Sequence, residues 1–238
     1  MKEYKGIYFI ALILLLSLSN RLRAQDSLYT PQPAWDNQLF YGNKLTWSTE
    51  TWKFSGEFQF RMDNDMRALD FYLMEGIASY MANKNWEVVP DFRVSVYSDK
   101  YEYRPGLGII YKNTWGEVRL NQLVHQVKWQ TDIESTGIVK NGLRYVLFYN
   151  KELNDKFIFS SAAGGLYRWS ERMTGVQFLR FMLGGTYRFN EKTSLNLSYF
   201  VGFENDGKQW TNIGGPLVQF VINLDNKSKY IPAHYFNF

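Results

Sequence analysis

Period-two alternation of apolar and polar residues is the feature that most restricts how this chain can fold. It is clearest at positions 52–62, where the two sets are Trp52, Phe54, Phe58, Phe60 and Met62 on one face and Lys53, Ser55, Glu57, Gln59 and Arg61 on the other. Such a run is typical of a β-strand with one apolar and one polar face. Similar runs recur between short polar segments, without helical segments between them. The chain is therefore predicted to be all-β, with antiparallel strands joined as hairpins.

Eleven strand candidates lie between Leu39 and Leu224, and residues 27–34 or 230–238 would supply a twelfth. The eleven are 39–47, 52–62, 69–82, 86–97, 101–112, 115–130, 143–149, 157–159, 179–183, 195–201 and 218–224. Within 115–130 the apolar face moves from even to odd positions, which we interpret as a β-bulge near 121–123. Because bacterial single-chain barrels have an even number of strands, we predict about twelve strands, with ten as the alternative.

Alternation also occurs in soluble sandwiches, but other features favour a membrane barrel. Many runs have ten or more residues, which is long enough for a tilted strand to cross a bilayer. Aromatic residues make up 18% of the chain, and five Trp stand at strand ends, where barrels carry an aromatic girdle: Trp47, Trp52, Trp86, Trp115 and Trp169. We predict a transmembrane, antiparallel, up-and-down β-barrel. A soluble periplasmic β-sandwich that binds an apolar ligand is one alternative.

The first 24 residues have the pattern of a cleavable signal peptide. Lys2 and Lys5 precede an apolar run at 7–18, and Ala24 supplies a small residue at the cleavage position. We predict a signal peptide at 1–24, an irregular lead at 25–36 and a barrel at 37–238. The signal segment contributes +3 of the formal net charge of +4, so the remaining chain lacks the basic excess of a nucleic-acid-binding protein. The chain has no cysteine, which excludes disulfides and thiolate metal sites.

Several motifs in the second half of the chain resemble a known group of proteins. They are Leu143-Arg144-Tyr145, the hairpin through Asn154-Asp155, Gln177-Phe178-Leu179-Arg180, and the run 183–189 before Leu197-Ser198-Tyr199. This pattern resembles the outer-membrane β-barrels of Bacteroidota-type bacteria and, more narrowly, domain-of-unknown-function family 2490, over about residues 35–224.

The resemblance implies a porin-like barrel in the outer membrane of a Gram-negative bacterium, in contact with membrane lipid, and it implies no assigned chemistry. Phe238 fits the aromatic ending through which such barrels would engage the barrel-assembly machinery. Pro232 and His234 depart from a regular terminal strand.

The residues offer little support for catalysis. The two histidines are His125 and His234, and His125 shares a face with Leu123 and Val127 without a Ser two residues away. A structural role is therefore predicted for His125, and a membrane-embedded lipid hydrolase is kept as an alternative function. We predict no catalytic residue, no metal site and no cofactor. The longest late connection is predicted to be a binding loop, with Asp206, Lys208 and Trp210 as its residues.

The polar strand faces predict a lumen lined by charges of both signs. The predicted inward-facing residues are Glu57, Arg61, Asp91, Arg93, Glu102, Arg104, Glu117, Arg119, Arg144, Arg180, Arg188 and Glu204. Since isolated charges are costly in a narrow interior, we expect them to pair across strands. Twelve strands enclose a space between that of filled eight-strand barrels and that of open sixteen-strand porins. We therefore predict a narrow or closed lumen and a structural, transport or surface-interaction role with an unidentified ligand.

Overall fold

Twelve β-strands make up almost all of the described part of the chain. The computed structural model describes residues 35–115, 119–171, 174–205, 207 and 209–225. The strands are β1 (Trp35–Asn37), β2 (Leu39–Ser48), β3 (Trp52–Asp63), β4 (Ala68–Met81), β5 (Trp86–Tyr97), β6 (Tyr101–Trp115), β7 (Asn121–Glu134), β8 (Val139–Asn154), β9 (Phe157–Trp169), β10 (Thr174–Arg188), β11 (Thr193–Asn205) and β12 (Trp210–Asn223). Among these residues no helix is long and apolar enough to cross a membrane. The predicted signal peptide and the C-terminal segment with His234 and Phe238 lie outside the described residues.

The eleven strand candidates correspond to β2–β12, and the prediction of an all-β antiparallel chain is confirmed. One assignment within this set was wrong. The run 115–130 was predicted to be a single bulged strand, but β6 ends at Trp115 and β7 begins at Asn121, directly opposite it. The outward positions are odd in both strands, and the even apolar positions 118 and 120 lie in the interval between them. The predicted irregular lead also ends early, since β1 begins at Trp35.

The sheet closes on itself, which excludes the β-sandwich alternative. Neighbouring strands from β2 to β12 pair antiparallel, and β12 then pairs with β2 in parallel, with Leu217 opposite Phe40. β1 pairs with the same edge of β12, and in both pairings the partners are 177 positions apart in the sequence. β1 and β2 therefore occupy one strand position around the barrel, which we call a line, and this line is interrupted at Gln38. The twelve strands therefore build eleven lines. An odd number of antiparallel steps makes the closing pair parallel, and it places the start of β1 and the end of β12 at opposite ends of the barrel.

The strand register determines the dimensions of the barrel. The shear of the barrel is found by following paired residues once around the wall. The path starts in the first line at position 49, opposite Trp52, and it returns to that line at Trp35, which is a shift of 14 residues. With eleven lines this shear implies a strand tilt of about 42° and a backbone radius of about 11 Å. The 12-residue strands β3 and β5 then rise about 30 Å along the axis, which matches the hydrocarbon thickness of a bilayer.

Short turns join the strands at both ends. The end that we call the Thr49 end has the intervals 49–51, 82–85, 116–120, 155–156 and 189–192, and the Asn64 end has 64–67, 98–100, 135–138, 170–173 and 206–209. The connection with Asp206 was predicted to be the longest late one, but it spans four residues and every interval contains two to five. Loop length therefore does not distinguish the two ends.

Tryptophan side chains on the outer face lie towards both ends. Four lie towards the Thr49 end and four towards the Asn64 end, where Trp129 packs against Trp169 with ring centroids 5.1 Å apart. All eight tryptophans of the chain are exposed: Trp47, Trp52, Trp86 and Trp115 towards the first end, and Trp35, Trp129, Trp169 and Trp210 towards the second. The five predicted at strand ends lie there.

The seam between β12 and the first line depends on a close approach of two backbones. Gln38 donates its N–H to the carbonyl oxygen of Gly214 at 2.9 Å, and a Cβ on Gly215 would lie 1.6 Å from the Gln38 carbonyl oxygen. A side chain at position 215 is therefore incompatible with this approach. Beside the seam, the Asn37 amide donates to the Asp65 carboxylate at 2.8 Å, and this bond holds the pKa of the Asp65 carboxyl below its usual range.

We predict that Gly215→Ala weakens the barrel, because the added methyl group must push Gln38 away from the seam. The expected loss in the free energy of unfolding is about 1–3 kcal/mol, as for other overpacked sites. Urea unfolding of the detergent-solubilised protein measures it. Gly76→Ala is the matched control, since a Cβ there meets nothing within 4 Å. Equal stability of the two variants would show that the seam tolerates a side chain.

Candidate functional site

The two faces of the wall have opposite chemistry. The outer face presents large apolar side chains, with Leu107 56% and Leu183 57% exposed. The inner face carries buried polar and charged side chains on every long strand, as in β7, where Gln126, Lys128 and Gln130 alternate with outward residues. Because anything that crosses the barrel must pass these inner side chains, the lumen is the candidate functional site.

Part of the lumen is apolar, which the sequence analysis did not predict. The buried apolar cluster contains Phe40, Ile77, Val89, Ile110, Val124, Val146, Phe148, Ala162, Leu166, Phe178, Met182, Phe200, Ile213 and Leu217. Phe40 of β2 and Phe200 of β11 pack across the intervening β12 with ring centroids 4.6 Å apart. The apolar part of the lumen was not predicted because segments such as 145–149 are apolar on both faces, so alternation does not show which face is inward.

Buried ion pairs link strands β4, β5 and β7 in the middle of the lumen. Lys128 Nζ lies 2.6 Å from an Asp91 carboxylate oxygen, and Arg93 Nη2 lies 3.3 Å from Glu75. Lys128 also reaches Glu75 at 4.0 Å and therefore joins the two pairs. Arg144 is the strand partner of Lys128 and is 2% exposed. Opposite charges held this close offset part of the cost of removing them from water.

Glycines on the inner face provide the room for these charges. A Cβ on Gly106 would lie 2.6 and 2.8 Å from the two Asp91 carboxylate oxygens. A Cβ on Gly42 would lie 2.8 Å from Glu57 Oε1, whose carboxylate pairs with Lys44 at 3.0 Å. Each charged side chain therefore lies flat against the neighbouring strand, over a residue that has no side chain.

A larger charged network lies at the Asn64 end. Basic side chains share acidic partners in this network: Arg104 and Arg168 with Asp132, Lys100 and Lys140 with Glu134, and Arg104 and Lys140 with Glu102. The strands that supply these residues, β6 to β9, are consecutive. The network therefore cross-links one side of the lumen close to its opening.

Smaller charged groups lie towards the Thr49 end. Glu87 is fully buried. Its carboxylate lies 2.6 Å from Lys112 Nζ and 2.8 Å from Lys53 Nζ, and it accepts a hydrogen bond from the Ser79 hydroxyl at 2.5 Å. Near the same end, Arg188 pairs with Glu152 at 2.6 Å (Nη1 to Oε1). Both ends of the lumen thus contain charged side chains in ion pairs, and the apolar cluster and the central ion pairs lie between them.

Most of the predicted lumen charges lie on the inner face. Glu57, Arg61, Asp91, Arg93, Glu102, Arg144 and Arg180 are buried, and Arg104, Arg188 and Glu204 are half-buried. Arg119 differs from the prediction: it is exposed in the turn before β7, where it donates to the Leu153 carbonyl oxygen. It was assigned inward because 115–130 was treated as one strand. Glu117 lies outside the residues whose side chains are described.

Sequence reasoning missed many other inward charges, some of which pair with the predicted ones. The missed residues are Lys44, Glu75, Glu87, Lys112, Lys128, Asp132 and Arg168. All of them are polar residues on alternating strand faces, so the signal was present once the strand bounds were known. Of the predicted binding loop, Trp210 begins β12 and is exposed, while Asp206 and Lys208 lie outside the described residues.

His125 lies on the outer face of β7. Its Nδ1 is 2.9 Å from the Tyr145 hydroxyl, and its ring centroid is 6.0 Å from that of Tyr111. These contacts join outward side chains of three adjacent strands, β6, β7 and β8. In the part of the chain that the structure describes, no group of three His, Cys, Asp or Glu side chains is arranged to hold a metal ion.

Comparison with known proteins shows a likeness to solved structures. No protein-family model matches the chain, and no curated protein matches it. Among solved structures, a chain described as "NanC porin structure in rhombohedral crystal form" is similar at a TM-score of 0.47 and 13% identity, over 74% of this chain and 93% of that chain. The fold assignment given above rests on the strand pairing of this protein itself.

We predict that Arg93→Ala and Arg144→Ala each destabilise the barrel. Removal of one partner from a buried charged group leaves the other charge uncompensated, which typically costs about 3–5 kcal/mol. For Arg93 the carboxylate left behind is Glu75, whose contact with Lys128 is longer, at 4.0 Å. The loss is measured as a lower midpoint of urea unfolding in detergent. Arg119→Ala, at an exposed turn position, is the control and should leave the midpoint unchanged.

Proposed function

We propose that this protein is an outer-membrane β-barrel of the Bacteroidota type, similar to domain-of-unknown-function family 2490, and that its lumen does not conduct solutes. The observation that carries the proposal is a closed wall with an apolar outside and a filled inside. Water would solvate the exposed apolar belt poorly, whereas lipid covers it at no cost. A closed barrel also satisfies every wall hydrogen bond without water, as a membrane requires.

The filled lumen supports a role other than general diffusion. A backbone radius of about 11 Å leaves limited space once long side chains point inward. That space contains the apolar cluster, the central ion pairs and the networks towards both ends. A solute would have to break buried ion pairs and displace packed aromatic rings on its way through. The protein therefore acts through its ends or its outer surface, in a structural or surface-interaction role.

The alternative of a lipid hydrolase has less support. A hydrolase built around His125 needs a nucleophile within hydrogen-bond reach of the imidazole. The side-chain partner that the structure gives His125 is the Tyr145 hydroxyl at 2.9 Å, which is a weak nucleophile until it is ionised. We therefore propose no enzymatic activity for this barrel.

Electrical recording in a planar bilayer tests the closed lumen. We expect purified protein to insert without steady, large single-channel steps. Insertion is verified independently by the gel mobility of unheated against boiled protein, because a folded barrel migrates differently from the unfolded chain. Large, weakly selective steps from protein that is shown to be folded would contradict the sealed lumen and restore a diffusion-pore function. Recovery of the protein in the soluble periplasmic fraction would contradict the membrane location.

The odd number of lines predicts a transmembrane topology in which the start of β1 and the end of β12 face different compartments. The chain has no cysteine, so single-cysteine variants report position without background. We expect Trp35→Cys and Asp99→Cys to react with a large, impermeant maleimide from one side of the membrane. Glu50→Cys and Leu224→Cys should react from the other side. Labelling of intact and permeabilised cells distinguishes the sides, and reaction of positions 35 and 224 from the same side would rule out an eleven-line wall.

A further inference from the structure

Arg180 is a buried cation with donors that the barrel does not use. It points inward from β10, and its side chain is 5% exposed. One of its nitrogens, Nη2, contacts Glu204 at 3.4 Å, which is long for an ion pair. Its Nε and Nη1 are buried, and neither has a hydrogen-bond partner among the described residues. Two donors on a charged group are thus withdrawn from water without compensation.

The surroundings of the Arg180 guanidinium are aromatic. Its carbon Cζ lies 4.5 Å from the centroid of the Phe178 ring, 5.7 Å from that of Phe40 and 5.8 Å from that of Phe200. Ring faces attract a cation, but they accept hydrogen bonds poorly. The aromatic residues therefore hold the guanidinium in place and leave its N–H groups available.

A second arginine, Arg61, also lies near the Phe40 ring. Arg61 Cζ lies 4.1 Å from the centroid of Phe40, and Arg61 Nε donates to the neutral Gln59 amide oxygen at 2.8 Å. Two guanidinium groups therefore flank Phe40 in the half of the lumen next to the Asn64 end, so both act on a negative group placed there.

We propose that Arg180 and Arg61 form a binding site for a small oxyanion of the phosphate class inside this end of the lumen. A buried, incompletely paired charge costs several kcal/mol unless a counter-charge and hydrogen bonds satisfy it. A tetrahedral oxyanion supplies both, because its several oxygens accept from more than one guanidinium donor. A halide would supply the charge but only one acceptor atom, so the oxyanion is the better match.

Two neighbours of Arg180 determine how its side chain lies and how its head group is reached. A Cβ on Gly202 would lie 2.8 Å from Arg180 Cγ, so the arginine stem lies flat on a residue without a side chain. Glu204, the one carboxylate paired with Arg180 here, has a side chain that is 35% exposed and lies near the end of β11. Its partial exposure lets it turn towards water and yield its place to the anion. Glu204 is therefore a competitor of the ligand as well as a partner of the arginine.

The test is titration calorimetry of the detergent-solubilised full chain with sodium phosphate, against sodium chloride at equal ionic strength. We expect saturable binding of phosphate and none of chloride. Arg180→Gln should raise the apparent dissociation constant about tenfold or more, as expected for the loss of a charge-assisted bond. Glu204→Gln should lower it, because the competing carboxylate is neutralised while its shape is kept.

The matched control is Arg188→Gln, which removes an inward arginine from the same strand at the opposite end, where it pairs with Glu152. It should change phosphate affinity less than about twofold. If Arg180→Gln does not fold, Glu204→Gln and Arg61→Lys still test the site, since the first should tighten binding and the second should weaken it. Absence of saturable phosphate binding by the wild-type protein overturns the proposal. Equal losses in Arg180→Gln and Arg188→Gln also overturn it, because they indicate general charge screening.

Discussion

Closure of the backbone hydrogen-bond ladder is the constraint on which the rest of this structure depends. A sheet whose outer face is apolar cannot expose strand edges to lipid, because an unpaired amide group there has no water to bind. The wall satisfies this condition by joining β12 to the line formed by β1 and β2. With eleven lines the join is parallel, in contrast to the even-numbered, fully antiparallel wall usual in bacterial barrels. The close approach at Gly215 and the break at Gln38 mark where the chain adapts to that join.

The narrow wall in turn decides how the lumen is filled. Inward positions on eleven tilted lines converge on a small volume, so long side chains from different strands meet. Charged residues are accommodated in pairs that lie over glycines, as Asp91 does over Gly106 and Glu57 over Gly42. Apolar rings occupy the space between the charged groups, as Phe40 and Phe200 do. This combination stiffens the barrel from inside, because ion pairs and ring contacts join inward side chains of different strands. The proposed sealed lumen and the proposed anion site are compatible, since an anion site needs one uncompensated donor group and not a continuous channel.

Two separate surfaces are therefore left for interaction with other molecules. The outer wall is covered by aromatic and aliphatic side chains that lipid can solvate, with tryptophans towards each end. Between the described strands the connections are short, so these connections do not form the long loops on which barrels commonly build binding sites. The charged side chains just inside the openings, among which Arg180 is the least completely satisfied, are where we propose that recognition takes place.

The sequence by itself determined the strands and the orientation of most charged residues, because the period of alternation is local and strands such as β3 carry it in full. It could not determine how the wall closes. Pairing of β12 with β2 joins residues that are 177 positions apart, and no local pattern encodes that choice. It also misplaced Arg119, since residues of the short connection before β7 were counted in the alternation of that strand. The tertiary structure alone decided which apolar residues are inward, because segments with apolar residues on both faces acquire an inside only when the sheet curves into a barrel. It likewise decided which charges find partners and which, like two nitrogens of Arg180, do not, because pairing depends on strand register and on the space that distant glycines leave open.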